Sequence, residues 1–146
     1  MSKNLKIKIT NHGSWYQLQG FDNYTYVIGI AFSDFWFDSI RELISALINL
    51  YSRPEGSYEV HFFCEPEEII ISFEKKADLI YLEVIIDPFN QFKNKEINYS
   101  KIGNIDQICK PFWRALRTCH LDKNSDFYKK YSQNLDLLTD LVKKNR

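Results

Sequence analysis

The chain has few of the residues that punctuate or staple a fold. Its five glycines and four prolines are scattered, so neither a GxxxxGK(S/T) loop nor a GxGxxG turn exists to cradle a phosphate, and nucleotide binding has no support. The three cysteines, Cys64, Cys109 and Cys119, are odd in number and lack short spacing. That excludes a disulfide-rich secreted scaffold and points to reduced thiols in a cytoplasm. No run approaches the roughly 18–20 apolar residues a membrane span needs, and MSKNLKIKIT lacks the apolar core of a signal peptide. A cytoplasmic protein without a membrane partner is therefore expected. Low-complexity segments and internal repeats are also missing.

What remains is a globular balance: 146 residues, 45% hydrophobic and 26% charged, enough for a single domain spanning residues 1–146 to bury its own core. Aromatics reach 16%, more than a domain of this size leaves outside. The formal net charge is zero but unevenly spread. Residues 1–90 hold 7 Lys/Arg against 13 Asp/Glu, a net −6, whereas residues 91–146 hold 12 against 6, a net +6. Such asymmetry bears on partner choice rather than on fold.

Period-two alternation of Leu5, Ile7 and Ile9 with Lys6, Lys8 and Thr10 predicts a half-buried strand. Asn11-His12-Gly13 is a turn signal, Trp15–Gln19 a second strand, and Tyr24–Phe32 a third, with Tyr24, Tyr26, Ile28, Ile30 and Phe32 on one face. Ile40, Leu43, Ile44, Leu47, Leu50 and Tyr51 recur at helical spacing, predicting a helix over 37–51. Ser39 with Glu42 fits a capping box, and Asp34 or Asp38 offers an alternative cap. Ser57–Asp87 then reads as a three-stranded meander turning at Glu65-Pro66-Glu67 and at Lys75–Asp78. Pro88–Lys101 is expected to be a polar loop anchored by Phe89 and Phe92. A second helix over 105–120 should be capped by Asn104 with Gln107 and, with Pro111 inside it, either kink or start late near Lys110; a third covers 125–144. The expected fold is α+β: one antiparallel sheet of about five or six strands, with helices packed on one face.

No catalytic or metal motif stands out. His61 and Cys64 should face opposite sides of a strand, and Cys119 and His120 diverge on a helix, so neither a metal site nor a cofactor is expected. The cysteines fall on apolar faces, where thiols serve as inert packing groups. Lys110, Arg114, Arg117, Lys129, Lys130, Lys143 and Lys144 on the later helices admit phosphate contact, but zero net charge argues against nucleic acid. The unusual property is the carboxylate density of the meander: Glu59, Glu65, Glu67, Glu68, Glu74, Asp78, Glu83 and Asp87 against Lys75 and Lys76. This is either a solvated face or a docking surface for a basic protein, whose cations would relieve the mutual repulsion.

Over residues 35–87, FWFDSIRELISALINLY leads into a strand ending in Glu65-Pro66-Glu67-Glu68, followed by two more strands. This stretch resembles small bacterial immunity proteins of polymorphic and contact-dependent toxin systems, in which a helix precedes a meander with an acidic turn. The resemblance implies a cytoplasmic, non-enzymatic protein that binds and neutralises a cognate toxin, commonly a nuclease with a basic active site. It assigns no residue by alignment. The expected partner-binding set rests on charge and exposure instead: Glu59, Glu65, Glu67, Glu68 and Glu83, with Trp36, Phe63 and Tyr81 as aromatic anchors. A small enzyme with a pocket between sheet and helices, and an adaptor or homodimer pairing through the meander edge, remain open alternatives.

Overall fold

The computed structural model describes residues 4–13, 15–33, 37–64, 67–88, 92–120 and 126–145. Alternating apolar residues build β1 (Leu5–His12), β2 (Trp15–Asp22) and β3 (Thr25–Ser33), each antiparallel to the next. The helical stripe forms α1 (Ser39–Ser52), after which come β4 (Gly56–Phe63), β5 (Glu68–Lys76) and β6 (Leu79–Asp87). β7 (Glu96–Gly103) follows, within and just beyond the segment expected to be a loop. Its inward positions carry Tyr99, Lys101 and Gly103 while Ile97 and Ile102 are exposed, so apolar alternation does not reveal it. Phe92, expected to anchor that loop, is 85% exposed, and Phe89 lies outside the described residues. The chain ends with α2 (Ile105–Ile108), α3 (Lys110–His120) and α4 (Asp126–Lys144). The break between α2 and α3 falls at Cys109, ahead of Pro111, because proline cannot supply the amide hydrogen a continuous helix requires. Asn104 and Gln107 form the reciprocal capping box.

The class is α+β, but the strands do not form one sheet of five or six. They make two antiparallel sheets, in the orders β1-β2-β3 and β4-β5-β6-β7. The edge of β4 shows why the second sheet stops there. Ser39 Oγ donates to the His61 carbonyl at 2.6 Å, and the His61 amide donates to Glu42 Oε1. Side chains from the first turn of α1 thus occupy backbone groups that another strand would otherwise pair. Ser39 and Glu42 therefore serve the strand edge instead of forming a capping box, and Asp38 is the cap, accepting from the Arg41 amide at 3.0 Å.

Both sheets turn one face inward onto a shared hydrophobic cluster completed by the helices. α3 packs on β1, α1 on β4, and α4 bridges α1 and α3. Aromatic rings join the layers: Tyr16, stacked on Phe32 within its sheet, meets Phe127 of α4 at 6.2 Å between centroids, Phe32 meets Phe62 edge-on at 4.8 Å, and Phe73 meets Phe112 at 5.4 Å. A polar tie also links the sheets, since Asp22 accepts from Tyr99 Oη at 2.6 Å and from Lys101 Nζ at 3.2 Å. No helix among the described residues is long and apolar enough to cross a membrane.

Candidate protein-interaction face

With the inner face of β4–β7 committed to the core, strand alternation turns the other set of side chains outward. The register aligns them in rows across the strands. One row runs Ser57, Glu74, Tyr81, Ile102, and the next runs Glu59, Ser72, Glu83, Ser100. A third joins His61, Ile70 and Ile85, with Ile70 buried, and a fourth Phe63, Glu68 and Asp87. These four rows contain no lysine or arginine.

Lys75, one of the two cations beside the carboxylates in sequence, is directed elsewhere. Its Nζ donates to the carbonyls of Leu50 at 2.8 Å and Arg53 at 2.9 Å, neutralising the carbonyl end of α1 rather than the acidic face. Lys95 lies 3.9 Å from Asp87 at the rim, with its side chain largely in solvent.

Between the first two rows lies a groove of about 410 Å³. It is lined by the small hydroxyl residues Ser57, Ser72 and Ser100, by Glu74, Glu83 and Tyr81, and by Leu82, Lys101 and Ile102; the Lys101 ammonium is turned to Asp22 between the sheets. Small hydroxyls beside carboxylates leave room for a long cationic side chain. The carboxylates would accept its hydrogen bonds, and the Tyr81 ring offers a face for cation–π contact.

Five of the residues expected to bind a partner therefore share this outer face: Glu59, Glu83, Tyr81, Phe63 and Glu68. They are not equally available. Glu59 retains 55% side-chain exposure, and Phe63 is 43% exposed with its ring edge-on to Phe37. Glu68 is the first residue of β5 rather than a turn residue, is nearly buried, and places Oε2 3.2 Å from His61 Nδ1. Glu67 is off the face, in the connection before β5, where its carbonyl accepts from the Cys64 amide. Glu65 and Trp36 lie outside the described residues. Glu74 belongs to the groove although it was not among the expected binding residues. Pairing Glu74 against Tyr81 across the second turn would have placed it there.

The remaining chemistry on this face centres on His61, whose Nε2 lies 3.6 Å from Glu59 Oε1 while Nδ1 faces Glu68. Both ring nitrogens thus address carboxylates rather than a nucleophile. Cys64 turns aside, donating to the Phe62 carbonyl at 3.4 Å, and burial together with the Glu67 charge pushes its thiol up to about 11. Cys119 donates to the Ile9 carbonyl, and burial pushes it up to about 11 as well. Cys109 is fully buried, which raises it further. Among the described residues no group of three or more His, Cys, Asp and Glu is placed to hold a metal ion.

Compared with known proteins, the chain matches no family model, no curated protein and no solved structure.

Proposed function

We propose that this chain is a binding protein whose outer β4–β7 face docks a basic protein. In the fuller form of this proposal it is a cytoplasmic immunity protein that neutralises a cognate bacterial toxin by occluding its active site or interaction surface. The observation that carries it is the groove lined by Ser57, Ser72, Ser100, Glu74, Glu83 and Tyr81, whose lining lysine, Lys101, is bonded to Asp22 and whose outward rows hold no Lys or Arg. Lysines or arginines of a partner would enter this groove, with Glu59 extending the field that steers encounter and Phe63 adding apolar contact. Mutual repulsion among the carboxylates is small in the free protein. At a diagonal separation of about 7 Å, two exposed charges cost only a few tenths of a kcal/mol at physiological salt.

The test is capture of a toxin from the native strain by the tagged protein, compared with the E59K/E74K/E83K variant. The wild type should retain a basic toxin and protect cells expressing it, whereas the reversed variant should lose retention by at least tenfold. Equal retention by both proteins, or no toxin captured by the wild type, refutes the assignment. E74Q at an exposed position and E83Q at a half-buried one provide a folding control: together they should leave stability unchanged or raise it by a few tenths of a kcal/mol at low salt.

A further inference from the structure

The outer face of the other sheet has the opposite character. Register aligns Lys6 with Phe21 and Tyr26, and Lys8 with Gln19 and Gly29. At the far end of the same face lies Trp15, 59% exposed. The cross-strand rows from Lys6 to Trp15 on this side contain no Asp or Glu. Asp22, the carboxylate nearest in sequence, is engaged by Tyr99 and Lys101 between the sheets.

The aromatic rings are presented rather than packed away. A register shift after Gly20 places Tyr26 opposite Phe21, taking it off the inward face that Ile28 and Ile30 share. Its ring then lies along the sheet over Gly29, where an added Cβ would overlap the tyrosine hydroxyl. The glycine is what lets the ring lie flat while remaining 55% exposed. Tyr24 occupies the hairpin tip at φ 71°, a conformation bulky residues rarely adopt, and is 87% exposed. Lys6 Nζ stands 5.8 Å from the centre of its ring.

We infer that this face is a platform for single-stranded nucleic acid. Flat exposed rings offer stacking surfaces to unpaired bases, and lysines interspersed with them offer cations to phosphates. A duplex hides its base faces and would use only the lysines. An acidic protein would match the charge but leave the flat rings without an equivalent stacking partner. The charge balance of the whole chain does not bear on this local face, because the acidic face belongs to the other sheet. The inference is independent of the toxin-binding proposal, which rests on β4–β7.

The experiment is fluorescence anisotropy of the full chain with a labelled oligothymidine of about 15 nucleotides, alongside a duplex of equal length. Saturable binding to the single strand is expected, with weaker binding to the duplex. The logarithm of affinity should fall with the logarithm of salt at a slope of about −1.4 for two lysine contacts on a single strand. W15A and Y26A should each weaken binding roughly tenfold by removing a stacking surface, and K6Q/K8Q should remove most of the salt slope. E59K/E74K/E83K should leave a stacking-dependent complex in place, separating this face from the proposed toxin site. Absence of saturable binding, equal affinity for the duplex, or insensitivity to both W15A and Y26A overturns the inference. So does salt-sensitive self-association abolished by K6Q/K8Q without oligonucleotide binding, which would identify the acidic face of a second copy as the occupant.

Discussion

Replacing Asp38 by alanine tests how the helical layer is held to the strand that carries the acidic face. Asp38 caps α1, accepting from the Arg41 amide, and the same carboxylate accepts from Tyr131 Oη at 2.6 Å, joining α1 to α4. Arg41 Nε and Lys130 Nζ stand 3.3 and 3.5 Å away. Burial pushes the Asp38 carboxyl up, but the Tyr131 hydroxyl, the Arg41 amide and the two cations together hold it below its ordinary value. Loss of the cap costs about 1 kcal/mol. The hydroxyl of Tyr131, a fully buried residue, loses a charged acceptor, adding about 1.5 kcal/mol at the low end of the usual range. The side chains of Arg41 and Lys130 are nearly half exposed, so their ion pairs add little. D38A should therefore lose roughly 2.5 kcal/mol in urea denaturation and about 5–10 °C in Tm. D38N keeps a capping oxygen and should lose less.

The pH dependence has a defined sign. Because the folded carboxyl lies below its ordinary value, its stabilising contribution is present above the unfolded pKa of 3.8 and is lost as pH falls through the folded value. Denaturation series from pH 7 to pH 3 should consequently show a shallower acid limb for D38A than for wild type. A double-mutant cycle with Y131F should give a coupling of about 1 kcal/mol. A D38A protein within about 0.5 kcal/mol of wild type, or single losses that simply add in the cycle, would refute the argument that this carboxylate joins the two helices.

Other consequences concern the core and the thiols. Phe73 is fully buried edge-on to Phe112, so F73A should cost about 3–5 kcal/mol by cavity formation; chemical denaturation showing less than about 1 kcal/mol would contradict this packing. With Cys64 and Cys119 pushed up to about 11, iodoacetamide should alkylate the native protein slowly at pH 7.5, faster by about tenfold per pH unit as thiolate forms. Cys109 should react only after unfolding, and rapid native labelling of any of the three at pH 7.5 would contradict the burial. Y99F removes a donor to Asp22 between the sheets and should lower stability by about 1 kcal/mol, an effect read by thermal denaturation and refuted by an unchanged Tm.

Much of the local structure was already present in neighbouring residues. Alternation marked the early strands and the meander, helical spacing marked α1 and α4, and Asn104, Gln107 and Pro111 marked the cap and break around α2 and α3. These signals are legible because they depend on residues only a few positions apart. The same alternation placed Glu59, Phe63, Tyr81 and Glu83 on one side of the meander. It could not find β7, whose inward positions are Tyr99, Lys101 and Gly103 rather than apolar side chains, or foresee that the shift near Gly20 would turn Tyr26 away from Ile28.

The division into two sheets, and with it two outer faces of unlike charge, was decided by tertiary structure. Ser39 and Glu42 close the edge of β4 through bonds to His61, a partner distant in sequence. Lys75 leaves the carboxylates because the carbonyl end of α1 folds against it, and Glu68 is withdrawn because His61 lies beside it across the strands. Sequence alone determined the abundance of carboxylates in residues 57–87. Which of them face solvent, and which cations remain to oppose them, depended on hydrogen-bond partners brought together only when the chain closed on itself.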